Sequence, residues 1–370
     1  MEILKFNRVF KKIAIVTLGI LFSLSAYSQN PLSVSWWEDL SPDWKDCFKS
    51  QIQLGDPVAK SDLDKIYALK KMSCTGVDDF GDDRNINSLE PLKDLKNLTE
   101  IDCSYASISS LAPIANLPNL QVLNCSYTYV NDLKELNKHP NLKVIYCAGT
   151  PIKSLNSITG LKQLEKLDLF ETKLDDFSAI GFFSNLKVLS VDNTNIRSLA
   201  PFKSLTKLEE LRFSYTQIAD ISPLVGLPNL RIIQFQKTKV SNLAPISRLK
   251  ELRFINCSDN AVSNITALRS LKKLEVLYLS QTKIEDLEPL KGMNTLKEIT
   301  FSQTPITSIK PLSGLAKLSI LIFTDTPVAS LKPIEKNAAI SVLYCRDSKI
   351  EVPEIEAYMK SHPDVEIDHF

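Results

Sequence analysis

Apolar residues recur along this chain with a period of 22. Residues 207–227 read KLEELRFSYTQIADISPLVGL, with Leu208, Leu211, Phe213, Ile218, Ile221, Leu224 and Leu227 at the apolar positions. Residues 229–249, NLRIIQFQKTKVSNLAPISRL, repeat the pattern. The leading positions are Leu98, Leu120, Leu142, Leu164, Leu186, Leu208, Leu230, Leu252, Leu274, Leu296, Leu318 and Ile340, without a slip in register. A thirteenth, degenerate copy begins at Leu69. A fixed period of this length predicts a solenoid, in which each unit buries its apolar face only by stacking on its neighbours.

Within a copy, the stretch around LxxLxL predicts a short strand. Alternation sends its second and third Leu-type residues inward and their flanking residues outward. Strands of successive coils then pair in parallel on a concave side. A Thr at the ninth position (128, 150, 172, 194, 216, 238, 282, 304 and 326) ends the strand, where its hydroxyl can satisfy a backbone group. Pro at 91, 113, 201, 223, 245, 289, 311 and 333 predicts a short 3₁₀ or extended segment on the convex side.

The motif LxxLxLxxTxIxxLxPLxxL resembles the leucine-rich repeat in the 22-residue form of internalin-like proteins, over about residues 69–350. The resemblance implies an α/β solenoid: a right-handed leucine-rich-repeat horseshoe with a parallel β-sheet on the concave face. It also implies a protein partner, such as another cell's surface protein. Similar repeats occur in cytosolic phosphatase regulators, a scaffold reading that the N-terminus opposes.

Residues 1–28 read as a secretory signal peptide. Lys5, Arg8, Lys11 and Lys12 precede a short apolar run, Ile13 to Leu24, and Ala26-Tyr27-Ser28 forms a small-x-small cleavage site. The alternative is an uncleaved anchor helix, for which the run is short. The end of the signal resembles those of Bacteroidetes-type bacteria, which implies a periplasmic or extracellular location. Residues 29–68 are expected to form a helical N-terminal cap. Its helix starts are Ser41-Pro42 and Ser61-Asp62, and Trp36 and Trp37 are assigned to it. Residues 69–350 are the repeats. Residues 351–370 are expected to form a C-terminal cap, with a helix over 353–360 and a strand over 365–367.

Charge narrows the function classes. Forty-four basic residues face 43 acidic ones, so no basic excess suits nucleic acid. Cleavage after Ser28 would leave a net charge of −2. No stable membrane insertion after cleavage is expected, and the mature chain is expected to be a monomer. Cys74, Cys103, Cys125, Cys147, Cys257 and Cys345 occupy the third apolar slot of the repeat, so all seven cysteines are expected as thiols. Seven extra residues in the first copy bring Asp78, Asp79, Asp82 and Asp83 together, either as a calcium loop or as a solvated acidic bulge.

Catalytic and metal-binding constellations are missing from the sequence. His139, His362 and His369 have no partner at triad or metal spacing, and no Gly-rich phosphate loop occurs. Glu209-Glu210 and Asp175-Asp176 read as solvated charges. No enzyme activity, cofactor or metal is expected. The candidate site is the outward face of the strands, with Tyr146, Phe170, Arg212, Ile232, Gln234, Phe254, Val276, Tyr278, Ile320, Ile322 and Tyr344 as the partner-binding residues. Phe170, Ile232, Phe254 and Tyr278 are expected to stand proud of it as anchors. The Val residues of the same columns fit equally well as ordinary strand residues. A glycan held by Tyr146, Tyr278 and neighbouring Asn residues is the alternative ligand.

Overall fold

The computed structural model describes residues 30–77 and 83–369. The proposed signal and Asp78, Asp79 and Asp82 lie outside the described residues. Among the described residues one parallel sheet of 14 strands runs from Lys71 to Asp368 in strict sequence order. Its strands, each of three residues, are β1 (Lys71–Ser73), β2 (Glu100–Asp102), β3 (Val122–Asn124), β4 (Val144–Tyr146), β5 (Lys166–Asp168), β6 (Val188–Ser190), β7 (Glu210–Arg212), β8 (Ile232–Gln234), β9 (Phe254–Asn256), β10 (Val276–Tyr278), β11 (Glu298–Thr300), β12 (Ile320–Ile322), β13 (Val342–Tyr344) and β14 (Glu366–Asp368). At about 4.8 Å per strand, the sheet spans an arc of roughly 60 Å. Pairing is in register at the repeat period, as in Leu211↔Ile233↔Ile255. The seven extra residues of the first copy are absorbed between β1 and β2, where Met72 still pairs with Ile101.

The predicted inward positions are the core. Leu211, Phe213, Leu208 and Leu224 are fully buried, and their counterparts in the other regular coils are buried too. Large rings stack between coils, with Phe213 on Phe235 at 5.5 Å and Phe301 on Phe323 at 5.4 Å. The convex side consists of 3₁₀ turns of three to five residues, one per coil, with Pro in the first turn where the motif carries it. A missing N–H does no harm there, because the first amides of a helical turn have no intrahelical partner. The residue two before each turn caps it. Asp176 and Asp220 accept from the Ser178 and Ser222 amides at 2.8 Å, which holds both carboxyls below their ordinary range. Asp176 is therefore a structural cap rather than a free surface charge.

Thr at the ninth position does what its chemistry suggests. Thr128, Thr194 and Thr216 each donate to the carbonyl three residues back at 2.7 Å. Asn260 takes the same place in its coil and donates to the Phe235, Cys257 and Ser258 carbonyls. A further ladder went unread in the sequence. The Asn preceding the leading Leu (Asn119, Asn185, Asn229) donates to a carbonyl of the previous coil at 2.9, 2.6 and 2.8 Å. On the surface Glu165–Lys187, Glu209–Arg231 and Glu251–Lys273 bridge adjacent coils. Each exposed pair contributes about 0–1 kcal/mol.

Among the described residues three helices precede the sheet: α1 (Val34–Glu38), α2 (Pro42–Gln51) and α3 (Lys60–Tyr67). Ser41 caps α2 by accepting from the Trp44 amide, and Pro42 is its first residue. Trp36, Trp37 and Trp44 all pack on the buried Phe48 ring. The Trp44 indole donates to the Ser88 carbonyl at 3.2 Å, which ties the helices to the first coil. Helix α3 begins one turn-fraction earlier than the Ser61 cap predicts. Ala59 is the capping residue, and Asp62, now at the third helical position, reaches back to accept from the Ala59 amide at 3.0 Å. At the other end α4 (Val352–Ser361) leads into β14. Among the described residues no helix is long and apolar enough to cross a membrane, and no three or more His, Cys, Asp or Glu gather as a metal site.

The cysteines require a correction. Cys47 of α2 and Cys74 are joined in a disulfide, with Cα atoms 5.3 Å apart. Cys74 does occupy the third apolar slot, but the helices set Cys47 directly over it. Cys103, Cys125, Cys147, Cys257 and Cys345 are buried thiols. Titration of the unfolded, non-reduced protein is expected to count five thiols, and a count of seven would exclude the bridge. Burial pushes the Cys125 thiol up to about 12, so these groups stay protonated at neutral pH. His139 is also buried, in a slot where the neighbouring coils carry Leu117 and Leu161. Its Nδ1 lies 2.9 Å from the Leu117 carbonyl, Nε2 has no hydrogen-bond partner, and burial lowers its pKa.

Candidate interaction surface

Each strand presents its first and third residues to the concave side, and from β2 to β13 these are half-buried in every coil but one. The exception is Arg212, whose side chain is exposed on β7 and pairs with Glu210 at 2.5 Å. The expectation that Phe170, Ile232, Phe254 and Tyr278 stand proud is therefore corrected. All four are half-buried, because each coil lies close enough to its neighbours for rings to lie down on them.

Register sets what touches what. Ile232, Phe254 and Val276 are adjacent on β8, β9 and β10, and Ile320 follows beyond Glu298 on β12. Tyr278, Thr300, Ile322 and Tyr344 form a second row beside them, and Gln234 continues that row toward Arg212. The Tyr278 ring meets Phe254 edge-on at 5.3 Å, and its hydroxyl donates to Glu298 at 2.7 Å. Partial burial and the Glu298 carboxylate push that hydroxyl up to about 12. The Tyr344 hydroxyl donates to Glu366, which also raises it. Between Arg212 and Tyr344 the structure thus brings nine of the predicted residues onto one strip, seven of them apolar or aromatic, with Asn256, Glu298 and Thr300 set among them. Tyr146 and Phe170 lie apart on earlier coils. The Tyr146 ring carries the Lys166 ammonium at 4.8 Å.

The residue that follows the third apolar slot lies deeper than the strand's outward pair in five coils. Ser104, Ser126, Ala148, Ser214 and Ser258 are buried, not surface groups. The chain turns over them as the strand ends. Asp102, Asn124, Asp168 and Asn256 accept from the amide two residues on, at 3.0 or 3.1 Å, and so close that turn. Asp192, farther inside, accepts from Ser190 Oγ and the Ser214 amide, and burial raises its carboxyl.

One column of residues went unassigned in the sequence. The residue just before the ninth position is left-handed in every regular coil, with φ between +54° and +63°. Gly, Asn and Asp suit that conformation, and Gly149, Asn193, Asp259, Asp325 and Asp347 occupy it. Tyr105, Tyr127 and Tyr215 occupy it too, where a bulky residue costs roughly 1–2 kcal/mol. These rings are not rewarded by burial: Tyr105 is 55% and Tyr127 40% exposed. The signal was legible as three tyrosines in an otherwise polar and Gly-bearing column.

Comparison with known proteins agrees with this architecture. A family model described as leucine-rich repeats (two copies) matches residues 96–138 and 250–292. No curated protein matches the sequence significantly. An internalin (InlF) from Listeria monocytogenes superposes with a TM-score of 0.71 at 20% identity, covering 81% of this chain and 93% of that one. A leucine-rich-repeat protein of Leptospira interrogans gives 0.68 at 18% identity, covering 84% and 92%. The functional domain of InlJ from Listeria monocytogenes gives 0.61 at 20% identity, covering 78% and 70%, and is described as including a cysteine ladder. At these identities the likeness is one of fold.

Proposed function

We propose that this internalin-like leucine-rich-repeat solenoid is an exported, non-enzymatic binding module whose concave face holds a protein partner. Residues 1–28 direct export, and the helices before β1 and the α4–β14 unit close the two ends of the core. The observation that carries the reading is the in-register strip from Ile232 through Phe254, Val276 and Tyr278 to Ile320, Ile322 and Tyr344. Half-buried apolar rows beside an exposed Arg212 have the mixed character of protein-docking surfaces, in which aromatic and Arg anchors carry most of the energy. Leucine-rich repeats commonly act as such modules, and no convergent set of nucleophile, base and oxyanion donors accompanies the strip.

The test is capture from the source organism's envelope fraction and medium. The bait is protein from Gln29, beside an Ile232→Asp, Phe254→Asp double variant that melts like wild type. One protein is expected to be retained by wild type and lost at least tenfold by the variant, since two buried carboxylates would oppose docking. Equal recovery by the two baits would remove the concave face from consideration. The glycan alternative on Tyr146 and Tyr278 has less support. One ring is covered by Lys166, and the other is committed to Phe254 and Glu298.

A further inference from the structure

Away from the concave strip, the strand-to-turn loops of the second and third coils carry an aromatic platform. Tyr105 and Tyr127 stack nearly parallel, with centroids 4.8 Å apart and planes 9° from parallel. The ring of Tyr127 extends over Gly149, where a Cβ would collide with it. Within the left-handed column that precedes the ninth position, Gly149 is the one residue with no side chain, and it lies where the ring needs the space. Tyr129, 67% exposed, stands beside the pair. Open clefts flank the stack on both sides. One, of about 310 Å³, is lined by Tyr127, Tyr129, Gly149, Pro151 and Lys173. The other, of about 320 Å³, is lined by Tyr105, Ser107, Asn85 and Arg84 with Asp83.

We propose that this platform is a carbohydrate-binding site, separate from the concave face, that takes a neutral polysaccharide across the Tyr105–Tyr127 stack. Three features select the ligand class. The left-handed backbone belongs to every coil, but two rings at such positions are held in the open, where neither backbone preference nor burial favours them. The rings are flat and bear hydroxyls, and their rim is polar: Ser107, Asn85, Arg84 and Lys173 can hydrogen-bond to hydroxyls while the outer side of Tyr105, away from Tyr127 and toward the Arg84–Asn85 cleft, takes the C–H face of a pyranose. A protein hot spot would instead be centred in a desolvated pocket with apolar surroundings, which this rim does not supply. Stacked nucleobases would need phosphate neutralisation, and Arg84 and Lys173 are offset locally by Asp83 and Glu171.

Affinity electrophoresis in gels containing laminarin, galactomannan, arabinoxylan or pullulan tests the proposal, with a mixed-sequence single-stranded DNA and a proline-rich peptide as counter-ligands in solution. At least one polysaccharide is expected to retard the wild-type protein. A Tyr105→Asn, Tyr127→Asn variant is expected to lose that retardation about tenfold or more, while its melting temperature holds or rises, because Asn accepts the left-handed backbone. Gly149→Ala, which displaces the Tyr127 ring, is expected to weaken binding, and Ile232→Asp, Phe254→Asp is expected to leave it unchanged. Retardation by none of the four polysaccharides overturns the proposal. So does retardation unaffected by the tyrosine variant, or binding only of the DNA or the peptide.

Discussion

Leu211→Asp is expected to unfold the centre of the solenoid, whereas Lys237→Asp leaves it intact. Leu211 is fully buried on β7 and pairs in register with Leu189 and Ile233 of the adjoining coils. A carboxylate there has no partner and leaves part of the leucine's volume empty, a combined cost of about 5 kcal/mol. In a repeat array each coil is stable only with its neighbours, so the damage spreads to both interfaces of that coil. Lys237 is exposed at a left-handed position, φ +55°, where Asp is well suited. Its ammonium lies 5.5 Å from the Tyr215 ring, a contact worth about 0.5–1 kcal/mol at an exposed site. Thermal denaturation followed by circular dichroism, with limited proteolysis, reads the difference. Equal melting temperatures for the two variants would contradict the inward and outward assignment on β7.

Gly76→Ala is expected to release the first coil and the helices packed on it. Gly76 occupies, in the first coil, the slot that Tyr105 fills in the second, and its amide donates to the Ser104 carbonyl at 2.8 Å. An added Cβ would overlap the Tyr105 carbonyl and crowd the Ala106 nitrogen. Both are backbone atoms of the hydrogen-bonded turn after β2, so no side-chain rotation relieves the clash, and the coil-to-coil pairing must give way. The expected cost is about 3 kcal/mol. Gly292→Ala is the contrast. Its φ is +73°, but a Cβ there meets nothing within 4 Å, so only the conformational cost of about 1 kcal/mol applies. Hydrogen exchange should show lost protection from α1 through β1 in Gly76→Ala and none of it in Gly292→Ala. A larger effect at Gly292 would mean that the first coil does not approach the second as closely as described.

Much of the architecture was readable because it rests on residues near each other in sequence. The apolar slots from Leu98 to Ile340 are buried as their spacing demands, and the Thr column closes its turns by hydrogen bonds over three residues. The convex prolines sit in 3₁₀ turns for the same local reason. The candidate surface was less legible. Tyr278 looked like an exposed anchor, yet Phe254 of the previous coil and Glu298 of the next hold it down. Ser104 and Ser126 carry no sign of burial in their chemistry, yet the turn covers them.

The repeat period, the inward and outward faces of each strand and the order of the coils were determined by the sequence itself, because a 22-residue pattern of apolar side chains has one way to bury all of its copies. Tertiary structure decided the rest. It placed Cys47 over Cys74, because the angle at which α2 meets β1 is not written in the repeat. It also laid Tyr127 over Gly149 and Lys166 over Tyr146. Strands about 4.8 Å apart make neighbours of residues 22 positions apart, and whether such a side chain stands free or is held depends on the residue that stacking sets beside it.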